Sequence, residues 1–164
     1  MAVAFDATIL IDLFNPRLKG DRRAKIDYLV AELQKKRTKI LIPTPALTEL
    51  MVGAGKAREE IHQKLSGTSA FQITPFDSRA AMECALRLEE ALDTVGKRQL
   101  TKSKIKFDWQ IVAIAASHDA TVIYSDDGDI ARYGKRASLE VIKTDDLPLP
   151  ASALQINLEL PPRK

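Results

Sequence analysis

Short apolar runs alternate with longer stretches of helical spacing along this chain. Ala2-Val3-Ala4-Phe5 reads as a buried strand, and Thr8–Phe14 as a helix that stops ahead of Pro16. Arg22–Lys36 places Ile26, Leu29, Val30 and Leu33 on one face of a second helix. Lys39–Ile42 is the next strand. Thr44-Pro45 then offers an N-cap and a proline at the first helical position. The helix it starts carries Glu49 and runs to about Leu65, weakened in its middle by Gly53 and Gly55. Phe71–Thr74 is a third strand. A long amphipathic helix capped by Asp77 or Ser78 follows to about Val95, with Ala81, Cys84, Ala85, Leu88 and Leu92 inward. Gly96–Lys106 reads as a basic loop, and Asp108–His118 as a buried helix dense in alanine and isoleucine. Thr121–Tyr124 and Leu139–Ile142 are the fourth and fifth strands. Strands alternating with helices predict an α/β fold of three layers (α/β/α) around a central, mostly parallel sheet of about five strands. Residues 1–146 form the domain, and the proline-bearing segment 147–164 is expected to be an extended C-terminal tail.

Acidic residues stand where the apolar runs stop. Asp6 closes the first strand, and Glu49 lies just past the second. Asp108 opens the apolar stretch from Trp109 to Ala116, and Asp126-Asp127-Gly128-Asp129 follows the fourth strand through Ser125. Singly, each has an ordinary explanation: Asp6 and Asp108 as helix N-caps, Glu49 as a solvated helix residue, 126–129 as a tight turn. Together they face one edge of the sheet, and in an open parallel sheet that edge is where ligands bind. Carboxylates gathered in one crevice repel unless a cation, a proton or a basic ligand relieves them. The apolar neighbours of Asp108, among them Phe107, Trp109 and Ile111, predict that it is packed; a buried carboxylate protonates or coordinates. Hard divalent cations such as Mg²⁺ and Mn²⁺ prefer oxygen ligands of this kind.

Composition narrows the class. At 164 residues and 45% apolar content the chain suits one folded domain, and its single cysteine, Cys84, excludes an internal disulfide framework. Cys84 lies among apolar helix positions and reads as packing. There is no basic region before the first apolar run and no uncharged stretch near the ~20 residues that span a bilayer, so a soluble cytoplasmic protein is expected. The net charge of +3 is mild, but Lys97, Arg98, Lys102, Lys104 and Lys106 crowd ahead of Asp108, with Lys35, Lys36, Arg37 and Lys39 as a second cluster. Such residues suit a polyanion whose phosphates need countercharge, or simply a solvated loop. Neither His62 nor His118 is near a plausible serine nucleophile, no glycine-rich phosphate loop occurs, and Trp109 reads as core.

The motifs resemble those of PIN domains. Phe5-Asp6-Ala7-Thr8-Ile9-Leu10-Ile11-Asp12-Leu13 is similar to the family's opening motif, an aspartate followed two residues later by Ser or Thr. The stretch from Phe107-Asp108-Trp109-Gln110 through Ile123-Tyr124-Ser125-Asp126-Asp127-Gly128-Asp129-Ile130 resembles its C-terminal half, with Ile130 where an aromatic is usual. The likeness covers about residues 2–143, and the small size resembles the VapC-like toxin branch. It implies an endoribonuclease dependent on Mg²⁺ or Mn²⁺, with Asp6, Glu49, Asp108 and one of Asp126 or Asp127 as catalytic and metal-binding acids. Asp127 is favoured for the fourth place, with Asp126 or Asp129 assisting, and Thr8 and Ser125 supply hydroxyls behind the acids. It also implies an RNA substrate, an antitoxin partner and a possible homodimer, with the basic residues 97–106 contacting RNA. A catalytically silent PIN-like module that binds RNA or protein is the alternative. A Toprim-like phosphotransfer site built on Glu49 with Asp127 and Asp129 leaves Asp6 and Asp108 without a role.

Overall fold

The computed structural model describes residues 1–95 and 102–155, without the side chains of 91–95, 102–106, 154 and 155. Its five strands are β1 (Ala2–Phe5), β2 (Lys39–Pro43), β3 (Phe71–Thr74), β4 (Ala120–Tyr124) and β5 (Glu140–Ile142). They form one sheet in the order β3-β2-β1-β4-β5, and every neighbouring pair is parallel. Eight α-helices connect and cover it: α1 (Ala7–Phe14), α2 (Gly20–Lys35), α3 (Thr44–Ala54), α4 (Arg58–Ser66), α5 (Ser78–Val95), α6 (Lys102–Ser117), α7 (Gly128–Arg136) and α8 (Ala151–Gln155). This is the three-layer α/β/α arrangement the alternation predicts.

β1 lies at the centre, with Val3, Ala4 and Phe5 buried and in register with Ile40 and Leu41 on one side and Val122, Ile123 and Tyr124 on the other. A strand covered on both faces has no polar side, so its sequence is an unbroken apolar run. The chain winds outward from β1 in one direction through β2 and β3, then returns to add β4 and β5 on the other side. The carboxyl ends of β1 and β4 therefore flank the switch in winding, where an α/β sheet opens a crevice. α6 contributes Trp109, Ile111, Val112, Ala113, Ile114 and Ala115 to the core and packs on α3, α5, α7, β2 and β4.

The structure corrects several local expectations. The helix after β2 breaks at Gly55, whose φ of +54° suits glycine; a 3-10 turn (Gly55–Ala57) then leads into α4. α3 begins one residue early, with Pro43 at the cap position, so the Thr44 hydroxyl is left to accept the Phe76 amide at 3.3 Å. On α5, Ala80 and Cys84 are buried while Ala85 is exposed, so the inward face is rotated from the expected one. α6 begins at Lys102, six residues before Asp108, because its first turns carry charge without an apolar stripe and offer no helical period to read. α7 has no counterpart among the predicted elements; its apolar positions are few, although Ile130 and Tyr133 are buried. Within the expected extended tail, Leu147 is buried and Ala151–Gln155 is helical.

Candidate metal centre

Asp6 leaves β1 as the residue before α1, and its backbone amide donates to the Tyr124 carbonyl at 3.1 Å, tying it to β4. It is 4% exposed. Its Oδ2 accepts the Ser125 hydroxyl at 2.7 Å and the Thr8 hydroxyl at 3.2 Å. Each hydroxyl oxygen also accepts an amide of the loop after β4: Thr8 that of Asp126 and Ser125 that of Asp127, both at 3.0 Å. With the amides approaching their lone pairs, both hydroxyl protons are directed at Asp6. Burial still pushes the Asp6 carboxyl above its ordinary value, against the pull of the Ser125 and Thr8 hydroxyls. A site that gives a carboxylate such donors and nevertheless disfavours its charge is one that a cation would relieve.

Three further carboxylates form a close group that does not include Asp6, which is linked to it through the Ser125 hydroxyl that accepts the Asp127 amide. Oxygen atoms of Asp108, Asp127 and Asp129 all lie within 4.8 Å of one another. Asp108 is delivered by α6 and is 7% exposed. Asp127 is the N-cap of α7, its Oδ1 accepting the amides of Asp129 at 2.6 Å and Ile130 at 3.3 Å. That cap fixes the turn that carries Asp129. Asp129 in turn pairs with Arg132 at 2.5 Å. Behind the group, Tyr133 of α7 stacks on the fully buried Trp109 of α6, with centroids 4.4 Å apart and planes at 25°, locking the two helices together. Trp109 is thus core, as its neighbours predict.

Asp126 and Glu49 have different surroundings. The Asp126 carboxylate accepts the Thr144 amide at 2.8 Å, the Thr144 hydroxyl at 2.9 Å and Arg22 Nη2 at 2.5 Å. Partial burial alone would raise its pKa, but the Thr144 and Arg22 bonds outweigh it and hold the carboxyl below the ordinary value. Glu49 is exposed on α3, on the wall of a hollow of about 390 Å³ shared with Ile11, Pro45, Val52 and Phe107, the residue before Asp108. Among the described residues it does not join the close group, and Asp127 and Asp129 meet Asp108 instead of Glu49 as a Toprim-like site requires. Lys97 and Arg98 lie outside the described residues, as do the side chains of Lys102, Lys104 and Lys106. Cys84 is buried and burial pushes its thiol up, which suits packing and not nucleophilic attack. His118 bonds back to the Ile114 carbonyl at 3.1 Å, at the end of α6.

Residues that sequence reasoning missed are Arg22, Thr144, Arg132 and Tyr133. Arg22 is 104 residues from Asp126, so no local pattern joins them. Arg132 does carry a signal, since it lies three residues after Asp129 on one helix.

The PIN domain family model matches residues 3–136. This chain belongs to the PIN domain family. The fold is shared with solved structures at low identity. Against the crystal structure of VapBC2 from Rickettsia felis bound to a DNA fragment from their promoter, the TM-score is 0.59 at 21% identity, covering 87% of this chain and 98% of that one. DNA-bound VapBC from Salmonella typhimurium gives 0.58 at 19% identity, over 88% and 98%. VapBC-5 from Mycobacterium tuberculosis, a member of the VapBC family of toxin–antitoxin systems, gives 0.53 at 24%, over 87% and 98%. No protein of curated function matches the sequence. Nuclease activity is the general function of PIN domains. Their usual divalent metal fits this centre: the donors are all hard carboxylate oxygens, and one of them, on Asp108, is brought out of water by the core. Among the described residues no helix is long and apolar enough to cross a membrane.

Proposed function

We propose that this PIN domain is a divalent-metal-dependent endoribonuclease, the toxin of a toxin–antitoxin pair. The observation that carries the reading is the meeting of Asp108, Asp127 and Asp129, with buried Asp6 tied to the same turn through Ser125, at the sheet edge where ligands bind. Asp108, Asp127 and Asp129 would hold Mg²⁺ or Mn²⁺, with Asp6 completing the anionic wall and Glu49 on α3 reaching in from the rim. When bound, such an ion lowers the pKa of a coordinated water and offsets charge on a phosphate oxygen. The protein's own part is orientation. Thr8 and Ser125 keep Asp6 in one rotamer by donating to the same oxygen, and Asp127 is held by capping α7. Carboxylates fixed in this way need no rearrangement as charge develops on the substrate.

RNA as the substrate draws support from the basic run Lys97, Arg98, Lys102, Lys104 and Lys106 ahead of Asp108. An antitoxin partner draws support from the VapBC complexes that share the fold. A homodimer and a cytoplasmic location belong to the same reading. Single-turnover cleavage of RNA with Mg²⁺ or Mn²⁺ is the test, comparing wild type with Asp6→Asn and Asp108→Asn. Cleavage should be nearly lost in both variants while circular dichroism is unchanged, and EDTA should abolish it in wild type. Equal cleavage by variant and wild type removes this mechanism; RNA binding without any cleavage points to a silent module instead. Replacing Lys102, Lys104 and Lys106 by alanine should flatten the salt dependence of RNA affinity, by up to ~0.7 in log–log slope for each phosphate no longer neutralised.

A further inference from the structure

Asp126 sits between Ser125 and Asp127, both of which face the acid group, yet its carboxylate turns the other way. It is gripped from two sides. Thr144, in the 3-10 turn Thr144–Asp146 after β5, donates its amide to Oδ1 at 2.8 Å and its hydroxyl to Oδ2 at 2.9 Å. Arg22 of α2 donates Nη2 to Oδ2 at 2.5 Å and also holds Asp12 of α1, through Nε at 2.6 Å and through Nη2. One guanidinium therefore joins α1, α2 and the turn after β4. Its planar fork of donors can serve two carboxylates at once, which an ammonium cannot do with the same geometry.

The grip is placed where a small movement matters. The Asp126 amide donates to Thr8 and the Asp127 amide to Ser125, and both hydroxyls end on Asp6. A shift of Asp126 would loosen both hydroxyls and tilt the Asp127 cap that carries Asp129. Isolated surface ion pairs contribute little and tolerate exchange of Arg for Lys. This one is partly shielded: the side chains of Asp12 and Asp126 are 16% and 24% exposed, and that of Arg22 is 39%.

We infer that Arg22 and Thr144 are positioning residues that act through Asp126, locking the Ser125–Asp129 turn so that Asp127 and Asp129 meet Asp108. The inference rests on the cation site proposed above, and it commits the Asp126 carboxylate to the clamp and not to the ion.

The test uses the full chain and the variants Arg22→Lys, Thr144→Val and Asp126→Asn, with two readouts. One is amide hydrogen exchange of the metal-free protein, and the other is the dissociation constant for Mn²⁺ by calorimetry. In Arg22→Lys the amides of Asp126 and Asp127 should exchange at least ~10-fold faster while those of β1 and β4 keep their rates. Its Mn²⁺ dissociation constant should rise ~10–100-fold, the range seen when partners behind metal ligands are removed. Asp126→Asn should behave alike, and the Arg22→Lys/Asp126→Asn double variant should be little worse than either single, as expected of residues acting as a unit. Wild-type exchange and Mn²⁺ affinity in Arg22→Lys would overturn the clamp. So would loss of Mn²⁺ binding in Asp126→Asn alone, with Arg22→Lys and Thr144→Val intact, since Asp126 would then be a ligand. Wild-type protein that takes up no Mn²⁺ overturns the cation site and this inference with it. An Arg22 that served only to contact RNA phosphate would leave the Mn²⁺ constant unchanged in Arg22→Lys, which equally overturns the clamp.

Discussion

Neutralising Asp108 should make the metal-free protein more stable and its metal response vanish. Oxygens of Asp108, Asp127 and Asp129 lie within 4.8 Å of one another. At that separation and an effective dielectric of ~20, each pair of like charges costs about 3.5 kcal/mol before screening. Asp127 and Asp129 are partly exposed, Arg132 stands beside Asp129 and also attracts Asp108, and salt reduces what is left, so the net penalty for Asp108 is on the order of 1 kcal/mol. Asp108→Asn keeps the side-chain volume and removes that charge. A divalent ion at 100 times its dissociation constant should stabilise wild type by about 2.7 kcal/mol. For a chain of this length that corresponds to a rise in melting temperature of roughly 5–10 °C. Thermal unfolding with EDTA and with Mn²⁺, run on both proteins, decides the matter. The variant should melt above wild type in EDTA and show no rise with Mn²⁺. A variant that loses stability in EDTA yet keeps the Mn²⁺ response would refute the repulsion and the placement of the ion together.

Two further outcomes follow from the packing. The Asp6 carboxyl is raised above 3.8, so between that value and its folded one the native state holds a proton that the unfolded chain has released. Its contribution to stability therefore falls as pH rises through that window, and metal affinity should weaken as pH falls through it. Urea titrations without metal should show the unfolding free energy of Asp6→Asn minus that of wild type increasing with pH, and a difference that stays constant or decreases would contradict the burial argument. Gly134 of α7 is buried, and a Cβ added there would lie inside the van der Waals surface of Val141 on β5. Gly134→Ala should cost about 1–3 kcal/mol in chemical denaturation, with part recovered on adding Val141→Ala; an unchanged midpoint would show that β5 can give way.

The apolar runs make the sheet legible because its central strands are covered on both faces. All five strands can be read in this way, and the acids at their ends with them, since a charge that interrupts a buried run is conspicuous. The first turns of α6 escape the same reading because they carry charge, and α7 because its buried stripe of Ile130, Tyr133 and Ala137 spans only two turns, too short a period to stand out from a polar sequence. Asp127 as an N-cap, Asp129 in the first turn, and Lys135 and Arg136 in the last are all visible signals, and weighing them as helix ends would recover α7.

The site divides along the same line. Strand order marks which acids stand at the strand ends, but not which of them meet: Asp108, Asp127 and Asp129 form the close group, and Asp6 and Glu49 lie outside it. Asp126, Asp127 and Asp129 are near-identical in sequence and do three different things: one is gripped by Arg22 and Thr144, one caps a helix, and one extends from that helix toward Asp108. The difference is set by partners up to 104 residues away and by the direction in which the turn leaves β4. Of two adjacent aspartates in such a turn, one faces the crevice and the other faces away from it. On the clamp inferred above, fixing the second to the scaffold would keep the first aimed, so that a carboxylate outside the ion's shell would still govern how tightly the ion is held.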